Sequence, residues 1–301
     1  MHAVVVGIAN LQTFLPVDRF PHDYEPTRYL PGEIITTVGG VGFNVARTIA
    51  ELGDTVSLMC PLGSDVAASA VVAEAAHLRI DAASATRLLA QTPKSVILHD
   101  PAGRRQINTD LGCALNATFT VAQFRSAARE ASVAVLGNLD FSRPLLRAAR
   151  DIALPIAVDL QDVQGPDNPY DDDFLAAADI LVMSHERLTV AHEEFLFGLR
   201  HKSQARLMVL TLGAGGSLAL TPEMTRAVHT PAALVGPTAN TTGAGDTFMG
   251  ALLHYYLSAR QPLAQALTHA SAAAALGLAQ PPRILTPDAV QEVVNPLLRQ
   301  S

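Results

Sequence analysis

With 301 residues, 49% of them hydrophobic and 16% charged, the chain suits one large domain, or one domain with a smaller appendage, and can bury a core without disulfide or metal staples. Its two cysteines, Cys60 and Cys113, exclude a disulfide framework and a cysteine-type zinc site, and they fit a reducing cytosol. A formal charge of −7, from 21 basic and 28 acidic residues, argues against nucleic acid or an anionic membrane as partner, since either needs a basic surface.

In chain order, short apolar runs alternate with longer helical patterns. Val4-Val5-Val6 opens the series, and with no basic region before it the start does not read as a signal peptide. Helices are predicted over 45–52, 65–77, 121–130, 144–152 and 186–199, and strands over 56–59, 133–136, 156–158, 180–183, 207–210 and 218–220. Most of the strand runs are apolar at nearly every position, as in a parallel sheet covered on both faces. Alternation with helices implies βαβ units, so the expected fold is α/β with a doubly wound, mostly parallel sheet. Residues 261–282 carry no charge but are rich in alanine and broken by Gln, Thr, His, Ser and Pro, which reads as a buried helix of a soluble protein. Residues 24–38 and 94–111 break the rhythm with extended residues, prolines and the hairpin signal Asp100-Pro101-Ala102-Gly103. They are expected to form a small separate β-sheet, or else two irregular loops.

Three glycine-rich runs are candidates for chemistry. The strongest is Asn240-Thr241-Thr242-Gly243-Ala244-Gly245-Asp246, which leads into a helical pattern. A tight glycine turn at a helix start gathers N–H groups at a positive dipole end, so it can hold an anion, with the Asp246 carboxylate beside it. Alternatively Asp246 is only an N-cap. The second run, Gly39-Gly40-Val41-Gly42-Phe43-Asn44, fails as a dinucleotide fingerprint, because Val45 stands at the third glycine position. It leaves a turn where backbone can touch a ligand, with the Asn44 amide as donor and acceptor for hydroxyls. The third, Thr211-Leu212-Gly213-Ala214-Gly215-Gly216-Ser217, is either a glycine hairpin or a strand end opening onto a ligand. Lys94 and Lys202 are the only lysines and neither ends a P-loop, so a nucleotide would be held by backbone, arginine or metal. The histidines, including His185 and His192, lack metal spacing, and no nucleophile elbow occurs.

In this order, the Gly39–Gly42 run with Asn44 and the helix after it, Thr211-Leu212-Gly213, and the Gly-Ala-Gly-Asp element resemble the ribokinase-like (PfkB-type) carbohydrate kinase family. The similarity extends over nearly the whole chain. It implies one ribokinase-like α/β domain over 1–301 with a β lid from about residues 11–38 and 94–112. It further implies transfer of the γ-phosphate of ATP, with Mg²⁺, to a hydroxymethyl group of a sugar or sugar derivative in the cytoplasm. Asp246 would be the general base, and the N–H groups of Gly243, Ala244 and Gly245 the anion hole. Asn10, Gln12, Gly39, Gly40, Asn44, Asn108 and Asn138 would contact the substrate. Thr211, Gly213, Gly216, Thr242 and Ala270 would line the nucleotide site, and Glu186 would serve the metal. Homodimerisation through the lid is also implied.

Three departures from the family pattern bear on specificity. Asn10-Leu11-Gln12 stands where the family has Asn-x-Asp, so an amide replaces a hydroxyl-binding carboxylate and the acceptor need not be ribose. Asn240 replaces an aspartate tied to a monovalent cation, which should weaken K⁺ dependence. Ser184-His185-Glu186-Arg187 stands for Asn-x-x-Glu, with the glutamate one position off. A nucleoside kinase, with Phe43 stacking on a base, and a silent ligand-binding relative are the alternatives.

Overall fold

In the computed structural model, which describes residues 1–236, 241–279 and 285–298, alternate side chains of the first strand enter two different cores. Strand β1 (His2–Val6) sends Ala3 and Val5 to one face and Val4 and Val6 to the other. The chain then leaves the main sheet for β2 (Asn10–Pro16) and β3 (Ile35–Gly39), and returns through α1 (Val41–Glu51) to β4 (Thr55–Met59). A short pair, β5 (Pro61–Leu62) and β6 (Thr86–Arg87), flanks α2 (Val66–His77), whose N-cap Asp65 accepts from the Ala68 N–H. The hairpin β7 (Lys94–His99) and β8 (Arg105–Asp110) follows, closed by the turn that the sequence signals at Asp100.

From there the βαβ rhythm is regular. Helices α3 (Val121–Ala127), α4 (Arg143–Asp151), α5 (Asp172–Ala177) and α6 (His192–Arg200) precede β9 (Val133–Gly137), β10 (Ile156–Asp162), β11 (Ile180–Ser184) and β12 (Leu207–Thr211) respectively. Strands β13 (Ser217–Leu220) and β14 (Val228–Thr230) add an antiparallel edge, and helices α7 (Ala244–Leu253), α8 (Leu263–Gly277) and α9 (Pro287–Leu298) finish the chain. The predicted helix over 186–199 begins only at His192; a turn occupies the residues between Ser184 and that helix, which places Glu186 on a loop.

The eight-stranded sheet has the order β14-β13-β12-β11-β10-β9-β1-β4 and is parallel from β4 through β12. Successive strands run one way out to β4, then from β9 the other way, so the order reverses beside β1. Crossovers on the two sides of such a point lead away from each other and leave a crevice at the strands' carboxyl ends. Helices α1, α7 and α8 pack over one face, and α4, α5 and α6 over the other, giving the two cores. The second, four-stranded sheet has the order β3-β2-β7-β8, with β2 and β7 parallel. Among the described residues no helix is long and apolar enough to cross a membrane.

Candidate active site

The crevice at the β1 reversal is a cavity of about 820 Å³, roofed by one face of the small sheet. That volume lies in the range of small-molecule sites. Its wall takes residues from the carboxyl ends of β1, β9, β10, β11 and β12, from the start of α1, and from the start of α7. Glycine brings α1 this close. A Cβ on Gly40, whose φ is 96°, would stand 2.7 Å from the Ile8 carbonyl oxygen.

Asp246 sits in the first turn of α7 and is 7% exposed. Gly243 caps that helix in the left-handed region, φ 83°, which turns the chain so that the helix start faces the cavity. The Asn44 amide of α1 donates to Asp246 Oδ2 at 2.8 Å, tying the two glycine runs together across 202 residues of sequence. Burial pushes the Asp246 carboxyl up to about 6, against the pull of the Asn44 hydrogen bond. A second buried carboxylate, Asp159 in the middle of β10, also lines the cavity. Burial first, and then the Asp246 charge, pushes it up to about 7, although the Gln161 N–H donates to it at 2.8 Å.

The sequence profile of the pfkB family of carbohydrate kinases matches residues 1–284. The chain belongs to that family. It is 25% identical over 318 residues to the bifunctional ribokinase/ribose-5-phosphate isomerase A of Fructilactobacillus sanfranciscensis, an alignment covering 97% of this chain and 56% of that protein. The chain thus spans about half the length of that curated relative. Its fold matches the microbiome-derived acarbose kinase Mak1 with a TM-score of 0.85 at 20% identity, over 97% of this chain and 98% of that one. It matches the Arabidopsis thaliana ribokinase complexed with ribose and ATP with a TM-score of 0.74 at 21% identity, over 97% and 98%.

Within this pfkB-family cavity the structure gathers most of the residues singled out from sequence. Asn10, Gln12, Gly40, Asn44, Asn138, Glu186, Thr211, Gly213, Gly216, Thr242, Gly243, Ala244, Gly245 and Asp246 all line it. Three do not. Gly39 stands behind Gln12, and a Cβ there would lie 2.4 Å from the Gln12 carboxamide oxygen, so it makes room for that side chain and does not itself face the cavity. Asn108 lies on the outer face of β8, where its amide donates to the Val96 carbonyl, because the cavity-facing positions of that strand are Arg105, Ile107 and Thr109. Ala270 is fully buried in α8; Ala274 and Leu278, one and two turns on, reach the cavity instead. Phe43, offered as a stacking partner, is fully buried in the core beneath Arg47. The Ala244 N–H lies 3.3 Å from the Thr241 carbonyl oxygen, so that amide already has a long internal bond. Asn240, the position expected to weaken K⁺ dependence, lies outside the described residues.

Lining residues that the sequence patterns do not point to include Asp159, Asp162, Ser95, Thr109 and Arg105. The Arg105 guanidinium bonds Thr241 Oγ1 and lies 3.5 Å from Glu186 Oε1. Two signals were available, the aspartate directly after Ile156-Ala157-Val158 and the alternation of β8, but neither reveals which face looks inward.

Proposed function

We propose that the protein transfers the γ-phosphate of ATP to a hydroxymethyl group of a sugar or sugar derivative, with Asp246 as general base. The observation that carries this reading is a buried carboxylate in the first turn of a helix whose start faces the cavity. Asp246 takes the acceptor's proton as the new O–P bond forms and the bond from phosphorus to the ADP oxygen breaks. A carboxyl near 6 is mostly ionised at neutral pH yet more basic than an exposed aspartate, which suits that task. The N–H groups of Gly243 and Gly245 at the start of α7 serve the migrating phosphoryl group, the Ala244 N–H having to give up its long bond to the Thr241 carbonyl to join them, and Thr211, Gly213, Gly216 and Thr242 serve the nucleotide.

Among the described residues no group of three His, Cys, Asp or Glu side chains forms a metal cage. Magnesium that arrives on nucleotide phosphates needs only one or two carboxylates and keeps several waters. Glu186 fits that demand together with Asp162, the register partner of Ser184 two residues before Glu186. Bound there, the ion would neutralise phosphate charge. The small sheet serves as the lid over the acceptor, and its two edge strands, β3 and β8, offer unpaired backbone for pairing with a second copy.

Asp246→Asn tests the proposal. ADP release in the presence of a turned-over sugar should fall roughly 10²–10⁴-fold. Turnover within a few-fold of the unsubstituted protein would remove Asp246 from the role. A nucleoside acceptor is the second reading, favoured by the apolar pair Ile97 and Ile107 in the cavity roof. Parallel assays of sugars and nucleosides separate the two.

A further inference from the structure

The cavity-facing side of the small sheet is zoned by rank. Strand register sets Gln12 opposite Ser95 and Ser95 opposite Thr109, a row of neutral hydrogen-bonding groups. Two residues toward the β7–β8 turn, Ile97 stands opposite Ile107, and two further on Arg105 begins β8. The neutral row adjoins Asn10, which is 4% exposed. The Asn10 Nδ2 donates to Ser95 Oγ at 2.8 Å, and Ser95 Oγ lies 3.1 Å from Thr109 Oγ1. The Asn10 Oδ1 is buried without a partner. A buried carbonyl oxygen in that state calls for a donor, which a hydroxyl supplies and a carboxylate or phosphate oxygen does not.

The charges point the same way. Among the described residues lining the cavity, Asp159, Asp162, Glu186 and Asp246 are acidic and Arg105 is the one lysine or arginine. Arg105 lies four residues from Thr109, about 14 Å along a strand. Its guanidinium is engaged by Thr241 and Glu186, at the end of the cavity near β11 and α7. The isoleucine row, which cannot solvate an ion, separates it from the amides.

We propose that the acceptor is an uncharged polyol, and that the cavity rejects sugar phosphates and sugar acids. This rests on the kinase reading and narrows it. An anionic acceptor would meet carboxylates and isoleucines where it needs a cation, and like charges in close contact are strongly disfavoured.

The test is a set of matched pairs: fructose and fructose 6-phosphate, glucose and gluconate, inosine and inosine 3′-phosphate. Each is assayed for kcat/KM with ATP and Mg²⁺, and separately for the shift in melting temperature of the intact protein. The uncharged member should lead by at least about tenfold in every pair that turns over, and should alone raise the melting temperature. Equal or preferred use of an anionic member overturns the proposal while leaving the kinase reading standing. No turnover, with the uncharged members still giving the larger melting shifts, removes the kinase reading and leaves the charge selection intact. If no uncharged member either turns over or binds, the proposal falls. Ile107→Arg, at a position 46% exposed and so tolerant of substitution, should move the kcat/KM ratio toward the anionic members by about tenfold. An unchanged ratio would show that the isoleucine row does not select against charge.

Discussion

Asp246 and Asn44 form a hydrogen-bonded pair from two distant glycine runs, and the proposed chemistry turns on that pair at the scale of single atoms. With Asp246 in its proposed role as a base that works ionised, kcat/KM should fall tenfold per pH unit below its pKa of about 6. Asn44→Ala removes the hydrogen bond that favours the charged form, so that acid limb should move upward in a pH profile. A limb that stays in place would show that another group controls it. The raised pKa of Asp159 bears on stability. Its folded-state pKa of about 7 exceeds the ordinary 3.8, so the folded chain binds the proton more tightly, and stability falls as pH rises between those values. Asp159→Asn should therefore raise the melting temperature at pH 8 and raise it less at pH 5, which thermal unfolding at the two pH values will show. Asp246 and Asn44 were legible because glycine turns at helix starts are local patterns. Asp159 was not, since an aspartate that follows three apolar strand residues looks the same whether the strand stops there or continues along a cavity.

At the scale of elements, the site depends on how closely α1 and α7 approach β1 and each other. A Cβ on Gly42 would stand 2.7 Å from the Gly7 Cα, backbone against backbone, with no flexible atom to yield. Gly42→Ala should cost about 1–3 kcal/mol in denaturant unfolding and lower kcat as well, because α1 carries Asn44. A neutral effect on both would mean that α1 can shift without disturbing the pair. Strand β8 shows what pattern reading misses. Its residues alternate between the cavity and the outer face, so Thr109 and Ile107 look inward while Asn108 bonds the Val96 carbonyl on the far side. An isolated strand gives the alternation but not its sign. The same holds for α8, where Ala270 faces the core and Ala274 the cavity, on a helix so rich in alanine that its two sides look alike.

At the scale of the whole molecule, two sheets built from interleaved segments meet over one cavity. Arg105 joins the tip of β8 to Thr241 and to Glu186, next to α7 and beyond β11. The ion pair is half-exposed, and such contacts contribute only about 0–1 kcal/mol, so Arg105→Ala should leave the global melting temperature nearly unchanged. Its effect should appear as faster hydrogen exchange in β7 and β8, because local opening of the small sheet loses a tether. Unchanged exchange there would show that strand pairing alone holds the sheet down.

Some of this architecture was settled by the residues themselves. Doubly buried strands, alternating helices and glycine turns are written in local composition, because periodicity and backbone freedom act over a few residues. Which side chains face one another was decided by folding. The reversal of strand order beside β1 brings residues near 10, 44, 95, 159 and 246 around one space. No local rule fixes that, because the inward face of a strand depends on what packs against it.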